Sequence, residues 1–417
     1  MQFRLSILML LQFALPGAML PLYSMRLKEL GFTPMELAMC CATHGVGALL
    51  APLGAQLADR YFPAEKCVAV FSLLSSLFLI GLAYAESLYL VCLLTLFFWL
   101  LTVPIIVLSS TICFIHLKDP EKEFGIVRLW GTIGWMLPGW ILLALVRIFP
   151  NNNLEGHANE QFIIGSIFGF LVAVYALTLP TTPPSPSKVD KFAPLGALKL
   201  LRGWPFATYC LCTLGVFITM PFTTQGTPML LKYLGIVQPW LSPTLTISQV
   251  SEVISLFFLP MFLLRLGLRG SMLFGLICWT IALYVLSVGR PVGLVIPSLA
   301  LNGFSITCFL VTGQIYVNMQ AKGDLKASVQ SLLTFVQGMG LVLGHIMIGL
   351  LRSNSQNASN MREELVLAFQ VAAVINGTLC FIFYCCFRPG FGKKSVVEVK
   401  PKREGIQASL LGFKSNY

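Results

Sequence analysis

Three side chains near residue 130 share one face of a predicted helix. Arg128, Thr132 and Trp135 are spaced four and three residues apart, which places them on the same side of that helix. A guanidinium and a hydroxyl can hydrogen-bond sugar hydroxyls or the edge of a nucleobase, and an indole offers a flat apolar surface for stacking. The segment therefore predicts a surface that binds a polar ring. The alternative is that Arg128 anchors its helix by extending its charged end into water.

A second pair of polar residues lies in the sequence Ser248-Gln-Val-Ser-Glu252. Gln249 and Glu252 are three residues apart on one helix face, within an otherwise apolar run. A carboxyl group in an apolar environment can exist protonated at neutral pH, which is the property required of a proton carrier. Pairing with Arg128 would instead favour the ionised form. The alternative role for Glu252 is a hydrogen bond between helices without any part in chemistry.

The remaining reactive residue types do not form a catalytic or metal-binding pattern. The twelve cysteines lie in or beside apolar runs, so we expect them to be reduced packing residues. The histidines are scattered singly, at His44, His116, His157 and His345, which predicts no metal site. The sequence also lacks a phosphate-binding loop, a GxSxG turn and an HExxH helix. We therefore predict no cofactor and no enzymatic activity.

The elements that must position these residues are transmembrane helices. Apolar residues make up 56% of the chain and charged residues 11%. Roughly a dozen apolar runs of about 18 to 25 residues fill the chain from Leu5 to Phe387, and each is long enough to cross a bilayer. The predicted fold class is an all-α membrane protein with twelve transmembrane helices. The net charge of +11 is explained by the membrane topology, and it attracts the chain to the anionic headgroups of the lipid bilayer. We therefore expect no binding of nucleic acid.

The distribution of basic residues predicts the orientation in the membrane. With the amino terminus inside, 21 of the 28 lysines and arginines lie on the cytoplasmic side. A polar, proline-rich segment at 181–204 separates six helices from six and cannot remain in hydrocarbon. The predicted units are a six-helix bundle at 1–180, this cytoplasmic linker, a second bundle at 205–387 and a basic cytoplasmic tail at 388–417. Such a plan is typical of alternating-access transporters in the plasma (inner) membrane.

Two motifs resemble known transporter families. After the second helix, Gly54, Asp59 and Arg60 resemble, with one additional intervening residue, the GxxxDR signature loop of the major facilitator superfamily, where this loop contributes to gating. The segments RLWGTIGW, from Arg128, and SQVSE, from Ser248, resemble the fifth and eighth helices of the nucleoside:proton symporter family. That resemblance implies the major facilitator fold, with ribose and base held at Arg128, Thr132, Gln249 and Glu252 beside an aromatic ring at Trp135.

The sequence departs from this family on two helices. The polar positions of the seventh helix fall on Pro221 and Thr224, with Gln225 adjacent, and those of the tenth fall on Asn302, Ile306 and Thr307. An acidic position of the family is therefore lost at Thr307. We expect Thr224, Gln225 and Asn302 to contribute to substrate binding. Proton coupling would depend on Glu252 alone, or the protein would be uncoupled.

The predicted function is import of nucleosides with protons by a monomeric secondary transporter. The helix beginning Glu123-Phe-Gly also resembles lactose permease, which supplies an arginine and a stacking tryptophan to a sugar. A proton-coupled or uncoupled sugar or oligosaccharide transporter is thus one alternative. A non-transporting membrane receptor on the same fold is an alternative of another class.

Overall fold

The chain is helical throughout the part that a computed structural model describes. The described residues are 1–118, 120–149, 157–183, 201–320, 325–353 and 361–388. Within them, 11 segments are long and apolar enough to cross a membrane by length and composition. The predicted class of an all-α protein with many membrane-capable helices is therefore confirmed.

Six helices form the first part of the chain. They are α1 (Gln2–Glu29), α2 (Pro34–Tyr61), α3 (Ala64–Tyr84), α4 (Leu88–His116), α5 (Pro120–Ile148) and α6 (His157–Ala176). Their contacts are mainly with one another, because α1 packs against α5 and α6, α3 against α6, and α4 against α2 and α3.

The later part of the chain begins with a long helix and a short one. They are α7 (Trp204–Tyr233) and α8 (Gln238–Leu245). The elements that follow are α9 (Ile247–Val288), α10 (Val292–Ser305), a π-helical segment (Ile306–Val311), α11 (Thr312–Gln320), α12 (Leu325–Ser353) and α13 (Met361–Cys386). Here α9 packs against α10 and α13, and α7 packs against α12 and α13.

Helix α9 turns back on itself at Gly267. This glycine has φ 70° and ψ 176°, which is not helical. The ring centroids of Phe262 and Phe274 are only 5.6 Å apart. Twelve residues of straight helix would separate these two positions by about 18 Å. The chain therefore reverses direction here, and a residue without Cβ adopts this backbone conformation at low cost.

The first and later parts of the chain meet mainly where α2 packs along α12. A Cβ on Gly45 would lie 2.8 Å from the carbonyl oxygen of Gly338, and one on Gly338 would lie 2.9 Å from that of Gly45. Real Cβ atoms do not approach backbone so closely, so both positions require glycine. The two helices consequently touch backbone to backbone near the middle of α2.

One expectation about the cysteines is wrong. Cys40 of α2 forms a disulfide with Cys92 of α4, and their Cα atoms are 4.8 Å apart. Each residue lies within two turns of the beginning of its helix, so the two starts are neighbours in space. A separation of 52 residues along the chain conceals this proximity. The cysteines were expected to be unpaired because none lies in a predicted loop.

Candidate functional site

Arg128 is held between its own helix and α1. Its Nη1 donates a hydrogen bond of 3.4 Å to Thr132 Oγ1, one turn later on α5. Its Cζ lies 4.2 Å from the ring centroid of Phe13, near the middle of α1. The guanidinium and the hydroxyl thus share a helix face, as their spacing predicts. A cation above an aromatic face gains electrostatic stabilisation without losing its ability to donate hydrogen bonds.

Close packing between α1 and α5 fixes the position of this face. A Cβ on Gly17 would overlap the backbone of Trp135, and one on Gly134 would overlap the backbone of Leu10. The two helices can approach so closely only because glycine stands at both contacts. Trp135 is partly buried against the hydrophobic core. Rigid backbone contacts of this kind place the polar face of α5 accurately.

The backbone around Glu252 is fixed in a similar way by α10. A Cβ on Gly303 would overlap Ser251 Oγ, the carbonyl of Ser248 and the backbone nitrogen of Glu252. Ser251 Oγ also donates a hydrogen bond of 2.7 Å to the carbonyl of Ala300. Helix α10 therefore lies directly against the turn of α9 that carries Gln249 and Glu252.

Thr307 occupies the position at which the family resemblance places an acidic residue. Its hydroxyl lies 2.6 Å from Ser255 Oγ and 3.4 Å from the carbonyl of Glu252. Thr307 itself is fully buried. It therefore joins the π-helical segment that follows α10 to α9 by neutral hydrogen bonds, and it brings no ionisable group to the vicinity of Glu252.

The charges of Arg128 and Glu252 interact across the molecule. Each side chain contributes to the electrostatic environment of the other, although they belong to α5 and α9. Both side chains, like that of Gln249, are partly exposed. Nearby on α10, Asn302 Oδ1 is buried and has no hydrogen-bond partner among the described residues. The structure therefore places Arg128 within electrostatic range of Glu252.

Other predicted site residues have different surroundings. Gln225 is 2% exposed, and its Nε2 contacts Nδ1 of His345. Thr224 is partly buried and donates a hydrogen bond of 3.4 Å to the carbonyl of Pro221. The predicted gating residues, Gly54, Asp59 and Arg60, fall at the end of α2, and their side chains lie outside the described residues.

An apolar cleft of about 430 Å³ lies near this site, between α5, α8, α9 and α10. Its walls include Trp140, Trp240 and Ile254, and neither Arg128 nor Glu252 lines it. A pocket for a nucleoside or a sugar needs several convergent polar groups. This cleft therefore does not bring the predicted ring-binding residues Arg128 and Glu252 together.

The sequence analysis did not identify Phe13 or Gly303 as part of the site. Phe13 lies in an apolar run in which any aromatic residue is equally typical of packing. Gly303 is one of 35 glycines. Only the three-dimensional arrangement shows that these two residues contact Arg128 and Glu252.

Comparison with known proteins identifies the family of the chain. The family model described as "Nucleoside H+ symporter" matches residues 1–391. The chain belongs to this family. Its relatives include the putative nucleoside transporter YegT of Escherichia coli (strain K12), 29% identical over 84% of each chain. The xanthosine permease of the same organism is 27% identical, over 83% of this chain and 87% of its own.

Solved transporter structures share the fold. The nucleoside transporter NupG has a TM-score of 0.78 at 21% identity, with 93% of this chain and 99% of NupG covered. A D-xylose-proton symporter has a TM-score of 0.74 at 11% identity, with 93% and 98% covered. The fold is thus that of major facilitator superfamily transporters, and the members and relatives of this family are transporters rather than enzymes.

Proposed function

We propose that this protein imports nucleosides together with protons by alternating access, in the plasma (inner) membrane. The observation that carries the proposal is the electrostatic interaction of Arg128 on α5 with Glu252 on α9. These residues bring a hydrogen-bond donor for a polar ring and an acid to one site. The site is shared by the first and later parts of a chain that belongs to the nucleoside H⁺ symporter family.

The proposed architecture has twelve transmembrane crossings. The segment Gln238–Val288 has 51 residues, and its helix α9 alone has 42, about 63 Å if it were straight. A bilayer core is about 30 Å thick. Because the chain reverses at Gly267, this segment supplies two crossings instead of one. The bundles would then be 1–180 and 205–387, joined by the linker at 181–204, and both termini would lie in the cytoplasm with the tail at 388–417.

In the proposed site, α5 binds the sugar ring of the nucleoside. Arg128 and Thr132 would hydrogen-bond its hydroxyls, and Trp135 would stack on a ring. Gln249 and Asn302 would bind the base, since Asn302 Oδ1 has no hydrogen-bond partner in the described part of the chain and can accept a hydrogen bond from a ligand. Gln225 would join the site when its contact with His345 changes during transport, and Thr224 would move with it on the same helix.

Glu252 is the proposed proton carrier. Glu252 is a partly exposed residue whose carboxyl group interacts electrostatically with Arg128, so a cation lies near enough to compete with a proton for it. Binding of a proton and binding of Arg128 are then alternatives for one carboxylate. A nucleoside that engages Arg128 would free Glu252 to be protonated, which couples the two ligands.

The conformation agrees with a site that is closed on the outer side. At the end of α1, Glu29 forms an ion pair of 3.5 Å with Lys232 of α7 and accepts a hydrogen bond of 2.9 Å from Gln238 Nε2. With a cytoplasmic amino terminus, these contacts face outward. On the opposite side, the end of α2 with Gly54, Asp59 and Arg60 would contribute the inner gate.

Uptake measurements would test this function. The purified protein in liposomes should accumulate labelled uridine, adenosine or xanthosine when the outside is made acidic, and should not accumulate them without the gradient. Lactose should not accumulate. Accumulation of lactose alone would favour the sugar transporter. Absence of uptake with retained nucleoside binding would favour the receptor. Protein-free liposomes provide the background.

A further inference from the structure

His345 of α12 lies where three helices meet. Gly344 packs against α7, because a Cβ there would lie 2.9 Å from Pro221 Cγ and would overlap the carbonyl of Ile218. Nδ1 of His345 contacts Nε2 of Gln225 on the same helix α7. His345 is only 4% exposed, so its imidazole is enclosed by protein on every side.

The third helix at this junction is α2, which carries His44. The His44 ring lies 4.0 Å from the ring of Trp99, and His44 contributes to the electrostatic environment of His345. Close contact of Gly45 with Gly338 holds α2 and α12 together at this level. Two imidazoles from the first and later parts of the chain thus lie within electrostatic range of each other, His345 buried and His44 partly buried.

The other charged groups near this junction are already paired or lie farther along α12. Arg352 lies two turns beyond His345 and is 4.0 Å from Glu364 of α13. Cys41 of α2 is buried and interacts electrostatically with Arg352. From α7, Gln225 presents a neutral amide to His345. None of these described residues offers His345 a carboxylate to balance a positive charge.

This arrangement tolerates only a neutral His345. A neutral imidazole nitrogen can accept the amide hydrogen of Gln225, whereas a protonated one presents a second donor to it. A charged imidazole enclosed by protein, with no carboxylate among the described neighbours named above, loses solvation that nothing replaces, and the imidazole of His44 interacts with it electrostatically. Protonation therefore requires α2 and α12 to separate and admit water.

We infer that His345 is a positioning residue of the transport cycle, whose protonation favours the conformation in which α2 and α12 are apart. The inference rests on the proposed function. In the proposed orientation the contact of α2 with α12 lies toward the outer side of the membrane. An acidic exterior would therefore favour the conformation in which the nucleoside site is open to the outside. This role differs from that of Glu252, since the proton on His345 changes the conformation and need not be transported.

The accessibility of Cys41 would test the inference without relying on transport. Cys41 lies at the contact of α2 with α12, and Cys385 of α13 is exposed, so it serves as an internal reference. Peptide mass spectrometry would measure maleimide labelling of Cys41 relative to Cys385 at about pH 8 and about pH 5.5, on either side of the range in which imidazole titrates.

The native protein should show relative labelling at least about fivefold higher in acid, the lower end of typical coupling between two sites. His345→Asn keeps an acceptor near the Nδ1 position but cannot bind a proton, so its labelling ratio should not respond to pH. His345→Lys should be labelled strongly at both pH values. His116→Gln, at a histidine that contacts Thr182 far from this junction, should behave as the native protein does.

An unresponsive native protein, or a His345→Asn variant that responds as the native protein does, would overturn the inference. An unresponsive native protein overturns the inference by itself, so this outcome does not depend on whether the variants fold. Failure of nucleoside uptake with a normal labelling response would instead refute the proposed function and leave the protonation switch intact.

Discussion

At the scale of single residues, Arg128 is the group on which we propose that substrate binding depends most. Its partners within the protein are a neutral hydroxyl and an aromatic face, and its interaction with Glu252 spans two helices. A guanidinium has five N–H donors, and the hydroxyl of Thr132 accepts only one of them. Donors therefore remain for a ligand.

The first prediction concerns the affinity for uridine. Arg128→Ala and Trp135→Ala should each weaken binding by about 1 to 3 kcal/mol, because a charge-assisted hydrogen bond or a stacking contact is lost. Isothermal titration calorimetry of the purified protein would measure the loss.

Arg147→Ala is a matched control on the same helix. Arg147 lies at the other end of α5, 5.1 Å from the ring of Trp240. Its removal should leave the affinity for uridine unchanged. Native affinity in the Arg128→Ala protein would show instead that Arg128 only anchors α5 at the membrane surface.

The second prediction separates coupling from transport. Glu252→Gln should abolish accumulation driven by a pH gradient and preserve exchange of labelled for unlabelled uridine. Glutamine retains the shape and hydrogen bonding of a protonated acid but cannot release a proton, and exchange needs no proton return. Proteoliposomes with an acidic exterior would measure both activities. A glutamine variant that still concentrates uridine would show that Glu252 is not the carrier.

At the scale of helices, glycine contacts set the position of the acidic group. Gly303 allows α10 to lie directly on the backbone of α9 at Glu252. The third prediction is that Gly303→Ala lowers stability by about 1 to 3 kcal/mol, a typical result of overpacking, and reduces coupled uptake. Thermal unfolding in detergent and uptake at an imposed gradient would measure the two effects.

Gly293→Ala is the matched control, because Gly293 lies on the same helix and a Cβ there meets nothing within 4 Å. It should leave both measurements unchanged. Equal effects of the two substitutions would show that helix propensity, rather than the contact with α9, is responsible.

The helices were the most predictable part of the structure. Long apolar runs fix their existence, although the sequence alone does not show the non-helical backbone of Gly267, which divides the longest helix in two. The shared face of Arg128 and Thr132 also follows from helical periodicity alone. Contacts between helices do not follow from periodicity. Periodicity shows which residues share a helix face, but it does not show which other helix packs against that face. The disulfide of Cys40 with Cys92 and the contact of Gln225 with His345 were missed for this reason.

At the scale of the whole molecule, transport requires the contacts between the two parts of the chain to break and re-form. These contacts are small-residue packing at Gly45 and Gly338, a surface ion pair at Glu29 and the polar junction at His345. An exposed ion pair contributes only about 0 to 1 kcal/mol. Weak polar contacts between rigid units agree with a molecule that must change between two conformations.

The most direct test of proton-coupled nucleoside import is to measure both fluxes at once. When uridine is added to de-energised cells that produce the protein, the account predicts that the lightly buffered external medium becomes transiently alkaline as uridine enters, because each nucleoside carries protons inward. Uridine entry without any change in external pH would contradict coupling and leave a facilitator, and absence of entry would contradict nucleoside transport itself.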